Sequence, residues 1–236
     1  MANIIITGAS SGIGFEAVLD FTAKKENKVI ALARSGDKLR KLHEISSSLN
    51  PEGGELYPAQ FDVIYDNYPD ALVPFIQSKF DTVDILINNA GILINKPFLE
   101  TSLEEFAQVL QTNLLGHINM IKNVVPFMKN GSHIVNIGSM GGFQGASKFA
   151  GLSAYSTSKG ALATLTECLA EEFKEQGIKV NCLALGSSQT EMFEAAFPGA
   201  EAGTLAFEMG RYIADFAQNG HKYYNGKILP VANTTP

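Results

Sequence analysis

Tyr155 and Lys159 stand four residues apart where an amphipathic pattern begins, so a helix there presents a phenol and an amine on one face. A phenol titrates near ~10 and is a poor base at neutral pH, but a neighbouring ammonium favours the phenolate and lowers that value. The pair therefore has the makings of a proton-transfer device. Ser139 follows the apolar run 132–137, and its hydroxyl is able to hydrogen-bond an oxygen on which charge develops. Asn113, within Thr112-Asn113-Leu114-Leu115-Gly116, marks a point where a long helical pattern is expected to distort or break. Each also has an ordinary reading: a loop hydroxyl, a cap or turn residue, a polar pair on a solvated helix face. Only their occurrence as one ordered set argues for chemistry.

A second constellation lies at the start of the chain. Thr7-Gly8-Ala9-Ser10-Ser11-Gly12-Ile13-Gly14 follows the apolar run 3–6 and opens the helical pattern 13–23. Glycines there permit a tight turn and leave the first amides of the helix free to meet a pyrophosphate. The lysine of a nucleoside-triphosphate loop is absent, so a dinucleotide is expected rather than phosphoryl transfer. After the next apolar run, 29–32, come Ala33, Arg34 and Ser35. A site for NAD commonly presents an acidic side chain at that point to the ribose hydroxyls. Arg34 instead suits a 2′-phosphate, with Ser11 and Ser35 as neutral partners and Lys38 able to share the role, and no nearby carboxylate is read as opposing that charge. The cofactor expected is NADP(H).

These residues need a scaffold, and the periodicity supplies one. Short apolar runs at 3–6, 29–32, 56–61, 83–87, 132–137, 178–183 and 226–231 alternate with helical patterns at 13–23, 37–49, 69–80, 103–129 (one or two helices) and 155–176. The run at 56–61 is the weakest because Pro58 interrupts it. Strands that are apolar throughout must hide both faces, so the expected fold is α/β: a doubly wound, Rossmann-like parallel sheet with helices on both sides. No convincing linker divides the 236 residues, and a single domain covering 1–236 is expected, with a small substrate lid around 186–210. In that region 191–197 reads as the short lid itself, followed by a helix over 201–219.

A net charge of −6 gives no broad positive field for nucleic acid. His43, His117, His133 and His221, with Cys168 and Cys182, form no short metal-ligand pattern, so no metal is expected and both cysteines read as buried thiols. Ser139 lacks the Gly-x-Ser-x-Gly elbow of a hydrolase nucleophile. With no apolar run of about 20 residues and no charged leader, the chain reads as cytoplasmic and free of membrane.

Taken together, these motifs resemble the short-chain dehydrogenase/reductase family in its compact, single-domain branch. Asn88-Asn89-Ala90-Gly91 after the fourth strand is similar to the family's second signature, and Lys179-Val180-Asn181 to its sixth-strand segment. The likeness runs in order from about Asn3 to Met192 and weakens thereafter. It implies a tetrad of Asn113, Ser139, Tyr155 and Lys159, in which Lys159 also holds the nicotinamide ribose and Asn113 holds water in a relay toward it. It further implies cofactor contacts at Gly8, Ser10, Ser11, Gly12, Ile13 and Gly14, with Asp62 and Val63 beside adenine and Asn88, Asn89, Ala90 and Gly91 toward the ribose. Thr190 beside Gly186 is the expected carboxamide or phosphate contact, with Ser188 a lesser candidate.

Two departures stand out: Leu185-Gly186 replaces a common Pro-Gly, and Pro230-Val231-Ala232-Asn233 replaces a terminal Gly-Gly. The reading that follows is an NADPH-dependent reductase of a ketone, aldehyde or 3-oxoacyl group, acting as a homodimer or homotetramer. Phe143, Phe149, Leu152, Met192 and Phe193 are expected to wall its substrate pocket. Alternatives are an NAD-dependent alcohol or hydroxysteroid dehydrogenase, or a nucleotide-binding regulatory or scaffold protein with little catalysis.

Overall fold

The apolar runs assemble into one sheet. In the computed structural model, which describes residues 2–233, the strands are β1 (Asn3–Thr7), β2 (Lys28–Ala33), β3 (Glu55–Gln60), β4 (Val83–Asn88), β5 (Met128–Ser139), β6 (Lys179–Leu185) and β7 (Ile228–Val231). All pair in parallel, in the order β3-β2-β1-β4-β5-β6-β7. The helices between them are α1 (Gly12–Thr22), α2 (Gly36–Leu49), α3 (Val73–Lys79), α4 (Leu103–Leu110), α5 (Gly116–Val124), α6 (Ser153–Glu172), α7 (Glu191–Ala196) and α8 (Ala206–Asn219).

Alternation along β1 shows why the sheet needs both layers. Ile4 and Ile6 pack with Val18 and Phe21 of α1, Leu39 and Leu42 of α2, and Met209 and Ile213 of α8. Ile5, between them, packs on the opposite face with Ile76 of α3 and with Met120, Ile121 and Val124 of α5. All three isoleucines are fully buried, each stabilising the fold by roughly 1.5–3 kcal/mol. The doubly wound parallel fold is thus present, and its strand order reverses between β1 and β4, which opens a crevice at the carboxyl ends of the strands.

Several boundaries move for physical reasons. The 103–129 pattern does not run to Lys129: Pro126 ends it in a 3₁₀ turn (Val125–Phe127), and β5 begins at Met128. Pro58 is accommodated because β3 is an edge strand pairing only with β2. A π turn at Tyr68–Leu72 precedes α3, so the helix expected from Pro69 is regular only from Val73. The helix expected over 201–219 starts at Ala206, and the expected lid at 191–197 forms a short helix of its own, Glu191–Ala196. Cys182 is buried as expected, whereas Cys168 is exposed on α6. No helix among the described residues is long and apolar enough to cross a membrane.

Two buried histidines carry a consequence for stability. His133 Nδ1 lies 2.9 Å from the Ala217 carbonyl and its Nε2 lies 3.0 Å from Asn181 Nδ2. Since the amide must donate, Nε2 accepts and Nδ1 carries the single proton. Burial holds this ring's pKa down to about 4, and that of His117 on α5 down to about 3. Both titrate at 6.5 when freed, so their neutral forms stabilise the fold fully above that pH, and the benefit is lost as pH falls below it. We expect unfolding free energy to drop between pH 7 and pH 5 by about 2 kcal/mol per histidine. His133→Gln should flatten that slope in denaturant titrations, and an unchanged slope would show that these rings are not responsible.

Candidate active site

A cleft of about 770 Å³ opens at the carboxyl ends of the strands. Its first wall is the glycine turn. Gly8 and Gly12 adopt positive φ (69° and 56°), and a Cβ on Gly8 would come within 2.8 Å of Ala90 Cα. On Gly14 a Cβ would lie 2.4 Å from Asn89 Nδ2, so the turn and the Asn89-Ala90-Gly91 segment pack too tightly for side chains at these positions. Thr7 ties the two together, its hydroxyl accepting from the Asn89 and Ala90 amides at 3.0 Å each. Ser11 is the N-cap of α1 in extended conformation, yet its side chain makes no capping bond, and no acidic residue occupies the first turn. The helix start therefore keeps its positive end and free donors toward the cleft.

Gly8, Ser10, Ser11, Gly12, Ile13, Gly14, Arg34, Ser35, Asp62, Val63, Asn89, Ala90, Gly91, Gly186 and Thr190 all border this one cleft, although the sequence spreads them from position 8 to position 190. Their side chains do not all face it alike. Asn89 spends its amide on the carbonyls of Thr7 (3.0 Å) and Gly8 (3.1 Å), which makes it a brace for the turn. Asn88 is turned away into a buried ladder, donating to Asn136 Oδ1 at 2.9 Å, and does not border the cleft. Ser35 caps α2 by accepting from the Lys38 amide at 3.3 Å. Asp62 accepts from the Ile64 amide at 2.8 Å. Thr190 caps α7 through the Phe193 amide at 3.2 Å, and its methyl lies 3.2 Å from where a Gly12 Cβ would stand.

One expectation fails at the arginine end. Arg34 is exposed at the cleft and makes no ion pair among the described residues, but Lys38 is paired at 2.7 Å with Glu191 of α7. A carboxylate does oppose the positive charge there. It comes from 153 positions away, which no inspection of neighbouring residues would reveal.

The second wall holds the residues expected to transfer a proton. Tyr155 and Lys159 share a face of α6, with the Lys159 nitrogen 5.8 Å from the centre of the phenol ring, and Ser139 faces them from the end of β5. Lys159 is 4% exposed and donates to the Ile137 carbonyl at 2.7 Å. Burial lowers its pKa to about 8. Burial also raises the pKa of Tyr155, against a weaker downward pull from a hydrogen bond with Ser139. The lowering expected from Lys159 is absent: desolvation governs the phenol, while the Lys159 ammonium is bonded to the Ile137 carbonyl.

Asn113 sits in a π turn, Gln111–Leu115, inserted between α4 and α5, which is the distortion the sequence pointed to. Its side chain donates to the Ile92 carbonyl and the Ser158 hydroxyl, both at 3.0 Å, and accepts from the Ile92 amide at 2.8 Å. It is fully buried and does not itself border the cleft. A Cβ on Gly91 would lie 3.3 Å from Asn113 Oδ1 and 3.8 Å from the Lys159 nitrogen, so Gly91 is the gap in which these two groups approach each other. Of the five apolar residues expected at the substrate end, Phe149, Leu152, Met192 and Phe193 border the cleft and Phe143 does not.

Other contributors escaped the motif reading. His117, one turn beyond Asn113, bonds the Ala90 carbonyl at 2.7 Å and so fixes the Ala90-Gly91 corner. Its spacing from Asn113 was the available signal. Gly142 lets the loop after β5 rest on α6, since a Cβ would lie 2.5 Å from the Lys159 backbone. Gly186 abuts Ala232, which borders the cleft with Asn233, so the altered carboxyl-terminal stretch is part of the site.

Comparison with known proteins agrees with the fold. The family model for short chain dehydrogenase matches residues 2–201. Among curated proteins, the chain is 32% identical over 190 residues to the uncharacterised oxidoreductase YxjF of Bacillus subtilis, covering 80% of this chain and 71% of that one. It is 34% identical over 192 residues to the ketoacyl reductase HetN of Nostoc sp., covering 80% of this chain and 64% of HetN. Among solved structures, L-sorbose reductase of Gluconobacter frateurii, described in complex with NADPH and L-sorbose, superposes with a TM-score of 0.87 at 22% identity over 99% of this chain and 96% of that one. A short chain dehydrogenase of Salmonella enterica does so at 0.84 and 25% identity over 97% and 95%. The chain belongs to the short chain dehydrogenase family of oxidoreductases.

Proposed function

We propose that this protein is an NADP(H)-dependent carbonyl reductase in which Tyr155 is the proton donor. The observation that carries the reading is the convergence of Ser139, Tyr155 and Lys159 on the same cleft as the glycine turn. When bound, the nicotinamide supplies hydride to the carbonyl carbon. Tyr155 gives its proton to the carbonyl oxygen, Ser139 donates a hydrogen bond to that oxygen, and Lys159 holds positive charge behind the phenol. The burial that raises the Tyr155 pKa keeps the phenol protonated at neutral pH, which favours the reductive direction. Asn113 maintains the π turn against Ile92 and, on this reading, supports the proton path toward Lys159.

The residues present fit a dinucleotide. The glycine turn offers unencumbered amides, Asp62 and Val63 border the end near Arg34, and Thr190 faces the turn from α7. The charged residues on the cleft are Arg34, Lys38, Asp62, Glu191 and Lys159, leaving an uncharged apolar end at Phe149, Leu152, Met192 and Phe193. That distribution favours a neutral ketone, aldehyde or 3-oxoacyl group over a carboxylate substrate. The names of relatives point the same way, one a ketoacyl reductase and one a sugar reductase described with NADPH. We read residues 1–236 as one catalytic domain, 186–210 as its lid, and the exposed Leu99, Leu103 and Leu115 around α4 as part of a homodimer or homotetramer contact in the cytoplasm.

Arg34→Ala should weaken NADPH binding by about 1.5–3 kcal/mol, the scale of a charge-assisted hydrogen bond, and change NADH binding far less. Matched titrations at fixed ionic strength decide this. Equal losses for the two cofactors would overturn the NADP(H) assignment. The Glu191 carboxylate beside Lys38 favours a second reading, an NAD(H)-dependent alcohol dehydrogenase, and an intrinsic preference of the unmodified protein for NADH would establish it.

A further inference from the structure

Helix α7 is fastened at both ends, by a side chain of α2 at its start and by a side chain of the loop after β4 at its end. At its start Glu191 pairs with Lys38 of α2 at 2.7 Å, and at its end the Ala196 carbonyl accepts from Asn95 Nδ2, in the loop after β4, at 2.8 Å. Among the ion pairs of the described residues, Lys38–Glu191 is the one whose two members both border the cleft. Lys38 belongs to the first turn of α2, just after Arg34 and Ser35, and the acidic Asp37 of that turn is paired with Arg40 away from the cleft. Its side chain is 48% exposed and that of Glu191 69%, so either partner is free to swing into water.

We propose that Glu191 is a specificity residue that competes with the cofactor's 2′-phosphate for Lys38, so that the phosphate releases the amino end of α7 and a cofactor without it leaves the lid latched. The inference rests on the cleft being a nicotinamide-cofactor site with its 2′ position near Arg34. An ammonium is a compact point charge, and a phosphate dianion brought to Lys38 also approaches the Glu191 carboxylate. The more highly charged anion keeps the lysine, and Glu191 turns outward. A 2′-hydroxyl carries no such charge, and the pair survives. Glu191 thereby lowers affinity for the phosphorylated cofactor while giving the lid a response to which cofactor is present. Because the pair is exposed, the expected effect is roughly two- to fivefold in affinity.

The test compares the full chain with Glu191→Gln, Lys38→Gln and the double variant, using NADPH, NADH, 2′,5′-ADP and 5′-AMP as probes. The two nucleotides lack nicotinamide and so isolate the phosphate end. Glu191→Gln should tighten NADPH and 2′,5′-ADP roughly two- to fivefold and leave NADH and 5′-AMP unchanged, and Lys38→Gln should abolish that gain. Amide hydrogen exchange over Glu191–Ala196 should be faster with 2′,5′-ADP than with 5′-AMP in the unmodified protein, and equally fast with both in Glu191→Gln. Equal shifts for all four probes, or a gain that persists without Lys38, would overturn the latch. Failure of the NADP(H) assignment reads differently: the unmodified protein would prefer NADH and Arg34→Ala would not discriminate, while any gain of Glu191→Gln toward 2′,5′-ADP would still report competition for Lys38.

Discussion

Tyr155→Phe is expected to reduce carbonyl turnover by roughly a hundredfold or more, the span of a lost general acid, with little change in Tm or cofactor affinity. The variant keeps the ring that borders the cleft and removes one oxygen, whose hydrogen bond is with Ser139. Nothing in the sheet depends on that oxygen. Since burial raises the pKa of this phenol, reduction should hold steady through neutral pH and fall only as pH rises through the raised value. Oxidation of the corresponding alcohol, which needs the phenolate, should instead accelerate with pH. Turnover should be measured where a deuterated nicotinamide gives a full isotope effect, so that chemistry limits the rate. Unchanged turnover under those conditions would remove Tyr155 from the reaction.

Lys159→Met should separate function from stability in opposite directions. Burial lowers the Lys159 pKa from 10.5 to about 8. A lowered amine pKa means that the charged form is disfavoured in the fold, so the cost is fully present below pH 8 and disappears as pH rises through 10.5. At pH 7 that cost is about 3 kcal/mol. Methionine retains most of the stem and removes the charge, while losing the bond to the Ile137 carbonyl, worth about 1 kcal/mol. Without cofactor, Tm should therefore rise by roughly 4–8 °C. Turnover should collapse and NADPH affinity decline, because the charge behind Tyr155 and beside Gly91 is gone. Calorimetry of the variant beside its kinetics checks both halves. A fall in Tm together with activity would identify a structural lysine.

Much of the site was legible because its parts are local. The glycine turn needs particular residues at particular spacings, and so does a phenol and amine one helical turn apart; both constraints are written in consecutive positions. Asn113 was readable as a break for a similar reason, and the π turn Gln111–Leu115 is that break. Pro126 was in plain view too, yet the apolar pattern on either side of it suggested a longer helix than the one ending at Val124. Other errors arose where a side chain's partner is remote. Asn88 looks like part of a cofactor motif, but its place on a central strand turns it into the Asn136 ladder. Phe143 lies between cleft residues in sequence while its loop carries it elsewhere, its amide bonded to the Ser139 and Met140 carbonyls at 3.1 Å.

By itself, the sequence determined the alternation of strand and helix, the two-faced burial of the strands, the tight glycine turn, and the identity of the phenol, amine and hydroxyl that meet at the cleft. Each follows from short-range periodicity or from chemistry carried by one side chain. The tertiary structure decided how those residues act on one another. It set the Lys159 nitrogen toward Ile137, so that desolvation and not the neighbouring ammonium governs Tyr155. It also brought Glu191 onto Lys38 and Asn113 to the edge of Gly91. Electrostatic and solvation energies depend on distance and burial in three dimensions, and spacing along the chain fixes neither once the partners lie on different strands of a folded sheet.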